Sequence, residues 1–183
     1  MRDGNGPDLA RFATFDDEET LNAIIDTPRG SRNKFKYDER RHLFKLAGVL
    51  PAGSSFPYDF GFLPSTKGED GDPVDVLILM DEPTFTGCLV PARLIGVIEA
   101  EQTENGKKER NDRLLAVATD SRNHRDLKKV DDLAPNLRHE IEHFFVSYNS
   151  AKGKEFKVLG SHGPERAREL VSESMEVFKK GGK

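Results

Sequence analysis

The centre of this chain is an acidic turn, Gly68-Glu69-Asp70-Gly71-Asp72-Pro73-Val74-Asp75-Val76, which leads directly into the apolar run Leu77-Ile78-Leu79-Met80. Its three aspartates crowd together, because Gly71 permits a sharp bend and Pro73 prevents a continuing helix. Carboxylates a few ångströms apart repel one another, and a divalent cation removes that repulsion. Mg²⁺ and similar hard cations prefer oxygen ligands. The pattern therefore predicts a metal-binding carboxylate turn at the start of a rigid strand.

The acidic turn also has two other interpretations. One is a solvated acidic turn that simply precedes a strand, and composition alone is compatible with it. The other is the calcium loop of a helix–loop–helix protein, in which Asp81 would supply the last ligand. The spacing argues against that loop, because Val74 and Asp75 occupy its fifth and sixth positions, where an oxygen ligand and a glycine are needed.

Length and composition favour one globular domain. The 183 residues are 36% apolar and 33% charged, with a net charge of −4, so the basic excess typical of nucleic-acid binding is absent. The single cysteine, Cys88, allows no internal disulfide and fits a reducing compartment. No segment approaches the ~18 apolar residues of a membrane span, and the N-terminus lacks a signal-peptide core. We expect a cytoplasmic protein that binds neither nucleic acid nor membrane.

Apolar and alternating patterns divide the chain into a loose N-terminal arm, residues 1–20, and one domain, residues 21–183. Strands are predicted at residues 21–26, 34–38, 74–80, 88–99 and 113–119. Lys34 and Lys36 are expected to share one face of the second strand. Residues 42–50 form another short apolar stretch, residues 51–62 a turn-rich aromatic run, and residues 102–112 a hairpin connection or mobile loop.

Two amphipathic helices are predicted in the last third of the chain. The first carries apolar residues at helical spacing up to Tyr148, and Asp131 or Asp132 is expected to cap its N-terminus. The second extends from about residue 164 to residue 181. Several short strands followed by two helices predict an α+β, mainly β protein, with a small barrel covered by helices.

Five cations are candidates for an anion site that faces the aspartates: Lys34, Lys36, Arg113, Lys152 and Lys154. Cations opposite a carboxylate-held metal suit phosphoryl chemistry, because the substrate is polyanionic and its leaving group must be neutralised. The five histidines show no paired metal spacing. The chain also lacks a G-x-S-x-G elbow, a Gly-rich phosphate loop and G-x-G-x-x-G, which argues against a serine hydrolase, an NTPase and a dinucleotide enzyme.

The motif Asp70-Gly71-Asp72-Pro73-Val74-Asp75-Val76 resembles the signature of the soluble family I inorganic pyrophosphatases. Flanking segments that agree with this family are Thr27–Phe35, Phe56–Phe62, Arg93–Val97, Asp131–Leu133 and Ile141–Tyr148. The resemblance implies a five-stranded OB-like closed barrel with flanking helices. It also implies Mg²⁺-dependent hydrolysis of inorganic diphosphate to two orthophosphates by a metal-activated water, in a homo-oligomer that is commonly a hexamer in bacterial relatives.

The resemblance also implies roles for individual residues. Asp72 would be the general base that accepts a proton from the attacking water. Metal ligands would come from Asp70, Asp75, Asp112 and Glu104. Substrate oxygens would be bound by Lys34, Lys36, Arg113 and Tyr148, with Arg113 standing where the family has a lysine.

Several positions depart from the family pattern. The family has a glutamate at Asp26, an acidic residue at Lys36, an arginine at Gly48, tyrosines at Phe56 and Phe60, an aspartate at Asn111 and a lysine at Asn149. The anion site is expected to be rebuilt with Lys36, Lys45 or Arg40, and the retained turn aspartates favour metal binding. Two alternatives stay open: a non-catalytic OB-like protein that binds phosphate or a nucleotide, and a hydrolase of another diphosphate ester.

Overall fold

A computed structural model describes residues 8–181 of the chain. Its strands are β1 (Thr20–Thr27), β2 (Asn33–Asp38), β3 (Leu43–Val49), β4 (Asp59–Phe62), β5 (Asp75–Leu79), β6 (Leu89–Glu104), β7 (Lys107–Arg110), β8 (Arg113–Ala118) and β9 (Glu155–His162). Its helices are α1 (Pro135–Ser150), which precedes β9, and α2 (Pro164–Gly181), which follows it. Neither helix is long and apolar enough to span a membrane.

Five strands close into a ring in the order β1-β4-β5-β8-β6, because β6 pairs both with β8 and with β1. The pair β5–β8 is parallel, and the other four pairs of the ring are antiparallel. β6 is 16 residues long, so its second half also pairs with β7 and β9 outside the ring. The predicted five-stranded closed barrel with flanking helices is confirmed.

Residues of the barrel strands alternate between two apolar clusters. In β5, Val76 and Ile78 belong to the cluster on which α2 packs, whereas Leu77 and Leu79 belong to the cluster on which α1 packs. Successive side chains of a strand point to opposite faces, so a strand buried on both faces is apolar throughout. This explains why the segment after the acidic turn has an unbroken apolar sequence, and it makes that segment a rigid support.

The start of α1 differs from the prediction that Asp131 or Asp132 caps it. The N-cap residue is Ala134, which makes no side-chain capping bond, and Pro135 takes the first helical position. The Asp132 carboxylate instead accepts hydrogen bonds from the backbone N–H groups of Lys128 and Lys129, which lead into the 3₁₀ turn Val130–Asp132. The capping prediction is therefore wrong, because that turn separates both aspartates from the helix.

Other parts of the chain also differ from the sequence predictions. Within the predicted loose arm, Ala10 and Thr14 are buried, and the Thr14 hydroxyl donates a hydrogen bond to the Pro64 carbonyl. Residues 1–7 of that arm lie outside the described residues. The turn-rich aromatic run contains β4, and β9 was not predicted as a strand at all. Residues 102–112 form the β6–β7 hairpin and the short connection to β8.

Candidate active site

The acidic turn forms as its residue types predict. Gly71 adopts a φ of +84°, the Asp72 N–H donates to Asp70 Oδ1 at 3.1 Å, and β5 begins at Asp75. All three aspartates line one cleft with a volume of about 770 Å³. The structure thus brings the turn carboxylates to a single site at the N-terminal end of a buried strand.

Asp81, the last ligand of the rejected calcium-loop interpretation, is used elsewhere. Its carboxylate accepts hydrogen bonds from the Ser121 hydroxyl and from the backbone N–H groups of Arg122 and Asn123. These bonds, led by that of Ser121, lower the pKa of Asp81 to about 2. Asp81 therefore fixes the loop after β8 and takes no part in the acidic turn.

The substrate-binding cations predicted from the sequence line the same cleft as the aspartates. Three of them form ion pairs with carboxylates at the site: Lys34 with Asp26 at 2.7 Å, Lys36 with Asp72 at 2.5 Å, and Arg113 with Asp75 at 2.7 Å. Lys34 and Lys36 share a strand face, as predicted. These positive side chains of the cleft are therefore already paired with carboxylates.

Burial shapes the protonation of the acidic side chains. It raises the pKa of Asp26 to about 6, although the positive charge of Lys34 opposes this shift. Burial also raises the pKa of Asp70, and the negative charges of Asp75 and Asp72 raise it further. Among residues 8–181, no lysine or arginine forms an ion pair with Asp70. The charged form of Asp70 therefore lacks the compensation that a bound cation would give it.

Lys36 is drawn into the acidic turn from β2. Partial burial opposes its charge, but the hydrogen bond and charge of Asp72 prevail and raise the pKa of Lys36 above its ordinary value. The charges of Asp75 and Asp70 act in the same direction. Lys36 thus places a positive charge beside Asp72, at a position where the resemblance implies an acidic residue.

Arg113 lies in an aromatic cage at the floor of the cleft. Its guanidinium carbon is 5.9, 5.4 and 5.5 Å from the ring centroids of Phe60, Phe145 and Phe156. Its Nη1 also donates to Asn111 Oδ1, one of the positions that depart from the family. In the part of the chain that the structure describes, its buried Nε has no hydrogen-bond partner. Arg113 is therefore held by the rings, by its hydrogen bond to Asn111 and by the ion pair with Asp75.

Phe56 and Phe60, where the resemblance implies tyrosines, both lie against the ammonium of Lys34. Lys34 Nζ lies 4.2 Å from the ring centroid of Phe60 and 5.6 Å from that of Phe56. Both phenylalanines are buried, at 4% and 1% exposure, in the cluster beneath α1. Their ring faces attract the ammonium without a hydroxyl group.

The C-terminal end of α1 supplies the remaining wall of the cleft. Tyr148 lines the cleft, and burial raises the pKa of its hydroxyl. Lys152 follows the helix, with Nζ 4.1 Å from the Tyr148 ring centroid, and donates a hydrogen bond to the Tyr148 hydroxyl. Lys154 forms an ion pair with Glu104 at 2.9 Å. Of the cations suggested for a rebuilt anion site, Lys45 is paired with Asp38, while Arg40 lines the cleft from the β2–β3 turn.

The structure places Asp112 outside the cleft. Its carboxylate accepts hydrogen bonds from the Ala100 N–H at 2.9 Å and from the Arg110 guanidinium at 2.9 Å. It lines a second cavity, of about 390 Å³, between the acidic turn and α2. Neighbouring residues of an extended chain face opposite sides, so Asn111 and Arg113 reach the cleft and Asp112 points away. Asp70 and Asp75 also line this second cavity, so Asp112 approaches the acidic turn from that side, and its role as a metal ligand stays a prediction.

The cleft residues fit a hard divalent cation by their chemistry, although not by their present spacing. Within residues 8–181, no three His, Cys, Asp or Glu side chains converge closely enough to hold a metal ion as they stand. Asp70, Asp72, Asp75 and Glu104 nevertheless all present carboxylates to the cleft, and oxygen is the donor that such cations prefer. Asp70, which pairs with no lysine or arginine in the described residues, gives this fit its main support.

Two cleft residues were not assigned roles from the sequence. Asp26 was noted only as a departure from the family, yet it is the buried partner of Lys34. Asn149 is also buried, and its amide donates to the Phe145 carbonyl, so its side chain is used inside α1. A polar residue that ends an apolar strand, as Asp26 does in β1, is the signal that could have indicated the first of these.

Comparison with known proteins agrees with this architecture. The family described as inorganic pyrophosphatase matches residues 23–179. The inorganic pyrophosphatase of Nostoc is 35% identical over 172 residues, which cover 94% of this chain and 99% of the relative. That of Methanosarcina mazei is 33% identical over 155 residues, or 85% of this chain and 89% of the relative.

Solved structures of the same family have the same fold. The inorganic pyrophosphatase of Thermus thermophilus superposes with a TM-score of 0.87 at 32% identity, covering 94% of this chain and 99% of the other. That of Neisseria gonorrhoeae gives a TM-score of 0.85 at 32% identity, with the same coverage. This family of hydrolases suggests a divalent metal cofactor, which the carboxylates of the cleft fit. The barrel, the three-aspartate turn and these matches together establish that the chain belongs to the inorganic pyrophosphatase family.

Proposed function

We propose that this chain hydrolyses inorganic diphosphate to two orthophosphates and that Mg²⁺ is its metal. The observation that carries the proposal is the cleft itself, where three turn aspartates face Lys34, Lys36 and Arg113. Carboxylates are the ligands for the metal, and cations are the ligands for a polyanionic substrate. A binding site for a nucleic acid would not need the acidic turn.

The roles proposed for the acidic residues follow from their surroundings. Asp70, Asp75 and Glu104 are proposed as metal ligands, and their cleft-facing carboxylates support this role. When bound there, a divalent cation lowers the pKa of water and neutralises charge on phosphate oxygens. Asp70 carries the strongest support, because its carboxylate has no cation partner in the described part of the chain.

Asp72 is proposed as the general base. About half of its side chain is exposed, so water can reach the carboxylate, but Lys36 occupies one of its oxygens. Substrate oxygens carry more negative charge than one carboxylate, so they draw Lys36 away and leave Asp72 free to accept a proton. Lys36 then binds substrate. In this way the arrival of substrate uncovers the base.

The remaining substrate contacts are assigned to Lys34, Arg113 and Tyr148. Arg113 is held in its aromatic cage and Lys34 lies over Phe60, so both charges are fixed before substrate binds. Pre-positioned charges act on developing negative charge without reorganisation. The Tyr148 hydroxyl stays protonated, because burial raises its pKa, and it can donate a hydrogen bond to a substrate oxygen.

The first experiment measures phosphate release from diphosphate with Mg²⁺ and then with EDTA. Fast release that EDTA abolishes supports the proposed reaction. Absence of release with Mg²⁺, Mn²⁺, Co²⁺ and Zn²⁺ contradicts it and favours a phosphate-binding protein without turnover. Release from another diphosphate ester, but not from diphosphate, favours the alternative hydrolase.

Two substitutions test the proposed roles. Asp72→Asn is expected to fold normally and to lose turnover, whereas Asp131→Asn, a distant exposed aspartate, is expected to retain it. Lys36→Glu is expected to raise the KM for diphosphate, because it replaces a substrate-binding charge with a repelling one. Near-wild-type turnover in Asp72→Asn would remove Asp72 as the base, and unchanged affinity in Lys36→Glu would remove Lys36 from the substrate site.

A homo-oligomer, by resemblance a hexamer, and a cytoplasmic location stay predictions. The β2–β3 hairpin exposes Leu43, Leu46 and Val49, at 63, 59 and 59% exposure, which is compatible with a subunit contact. Light scattering after size exclusion gives the subunit number directly. A monomer over the working concentration range would contradict the oligomer prediction.

A further inference from the structure

Lys152 differs from the other cations predicted for the anion site. Lys34, Lys36, Arg113 and Lys154 are each paired with a carboxylate at 2.5 to 2.9 Å. Within residues 8–181, Lys152 forms no such pair, and its ammonium donates instead to the neutral Tyr148 hydroxyl. Its side chain lines the cleft that holds the acidic turn.

The surroundings of Lys152 are rich in positive charge. Lys34 from β2, Arg113 from β8 and Lys154 from the same loop act on it unfavourably, and Asp75 from β5 acts favourably. Lys152 is exposed at the surface, but loss of solvent where its ammonium lies against Tyr148, followed by these charges, lowers its pKa to about 8. An anion placed beside it would supply the missing negative charge.

A paired lysine and an unpaired one differ in what they lose on binding an anion. A paired lysine must give up its carboxylate, so much of the new electrostatic attraction is cancelled. Lys152 gives up one hydrogen bond to a neutral phenol and gains a charge-assisted one. Lys152 also lines a small cavity of about 190 Å³, together with Lys34, Tyr148 and Gly48, where the family has arginine.

We propose that Lys152 is a substrate-binding residue that contacts a terminal oxygen of diphosphate and makes substrate affinity fall at alkaline pH. This inference rests on the proposed function, because diphosphate is the anion it names. It assigns to the loop after α1 the positive charge that is absent at Gly48 and at Asn149. Asn149 is turned into the helix, so it does not provide that charge.

The direction of the pH effect follows from the protonation of the free protein. Below pH 8 the ammonium of Lys152 is charged and binds the anion. As the pH rises through about 8 it loses its proton, and affinity falls until the pH reaches the higher pKa of the anion-bound form. Diphosphate itself also titrates, but it does so identically for every variant, so ratios between proteins isolate Lys152.

The test compares Lys152→Met with wild type from pH 7 to 9.5. Methionine keeps an apolar stem over Tyr148 and removes the charge. We expect Lys152→Met to raise the KM for diphosphate and the Kd for imidodiphosphate about 10-fold at pH 7, the value of one charge-assisted hydrogen bond, with kcat changed much less. The ratio to wild type should decline toward 1 at pH 9.5. Lys157→Met, an exposed lysine of β9 outside the cleft, is the matched control and should match wild type throughout.

Lys152→Arg separates charge from structure. Arginine does not titrate in this range, so this variant should keep its affinity at pH 7 and lose the alkaline decline. A Lys152→Met ratio near 1 at pH 7, or a ratio that stays constant with pH, overturns the proposal. If wild type releases no phosphate, the proposed function fails, and the same Kd comparison with imidodiphosphate still decides whether Lys152 binds a diphosphate-type anion.

Discussion

The ion pair between Asp75 and Arg113 gives the sharpest prediction about the metal site. Asp75 is proposed as a metal ligand, but it is also the only carboxylate paired with Arg113 in the described residues. The Arg113 side chain is 5% exposed and that of Asp75 is 28% exposed. Substituting Asp75→Asn keeps the shape and an oxygen acceptor and removes the charge. Arg113 is then a guanidinium among three phenylalanine rings without an anionic partner.

The magnitude of the Asp75→Asn effect can be bounded from this geometry. Removing one partner of a fully buried pair costs about 3–5 kcal/mol. Asp75 is partly exposed, and Arg113 keeps its hydrogen bond to Asn111, so we expect a loss of about 2 kcal/mol in the free energy of unfolding. With a urea m-value of about 2 kcal/mol/M, the unfolding midpoint should fall by about 1 M.

The assay is urea unfolding followed by far-ultraviolet circular dichroism at pH 7.5, with EDTA present. Circular dichroism is suited because the chain contains no tryptophan, and EDTA removes stabilisation by bound metal. Asp70→Asn is the matched control, because it removes a charge from the same turn but breaks no ion pair in the described chain, and asparagine keeps the acceptor for the Asp72 N–H. Its stability should equal or slightly exceed that of wild type.

Two results would refute this reasoning about the acidic turn. Surface substitutions usually change the free energy of unfolding by no more than about 0.5 kcal/mol. If Asp75→Asn differs from wild type by no more than this, the stability of the buried Arg113 does not depend on Asp75. If Asp70→Asn loses as much stability as Asp75→Asn, the loss comes from the turn as a whole. Both variants should weaken metal binding, but only Asp75→Asn should lower the free energy of unfolding. Comparing the two variants therefore separates the effect on stability from the effect on metal affinity.

Three further predictions concern other parts of the barrel. Gly61→Ala should lower the free energy of unfolding by about 3 kcal/mol or more in thermal unfolding, because a Cβ there would meet the Ile24 carbonyl oxygen at 2.1 Å. Gly48→Ala is the control and should cost little, because no atom lies within 4 Å of its Cβ. Equal stability of the two variants would contradict this prediction. Burial raises the pKa of Asp26 from 3.8 to about 6, so between these pH values the folded state binds more protons than the unfolded state. The contribution of Asp26 to the free energy of unfolding should therefore rise by up to about 3 kcal/mol as the pH falls from 7 to 4. Asp26→Asn should abolish that part of the pH dependence in urea unfolding, and an unchanged profile would exclude Asp26 as its source. Adding Gly48→Arg to Lys152→Met should recover part of the affinity for imidodiphosphate in calorimetry, because both positions line one cavity; a folded double variant without recovery would separate Lys152 from that cavity.

Local patterns accounted for much of this fold. The apolar run after the acidic turn, the alternation that puts Lys34 and Lys36 on one face, and the helical stripes of α1 and α2 each depend on short-range periodicity. The acidic turn likewise depends on adjacent residues, Gly71 and Pro73. Each of these features is determined by residues within one short segment and needs no contact with a distant part of the chain.

Strands that depend on distant partners were missed. β4 contains a glycine between two phenylalanines and becomes a strand because β1 and β5 pair with it on both sides. β9 contains only three apolar residues and ends in Gly160-Ser161-His162, and it becomes a strand because the long β6 pairs with it. Pairing with distant residues overrides such weak local preferences.

The sequence by itself determined which chemistry is available: a three-aspartate turn on an apolar strand, five nearby cations and the family to which they point. The tertiary structure alone decided which of these charges are already neutralised. Asp112 is paired with Arg110, Asp72 and Asp75 are paired with Lys36 and Arg113, and in the described chain Asp70 has no cation partner and Lys152 has no carboxylate partner. Ion pairing depends on distances between segments far apart in sequence and falls steeply with separation, so no local pattern encodes it.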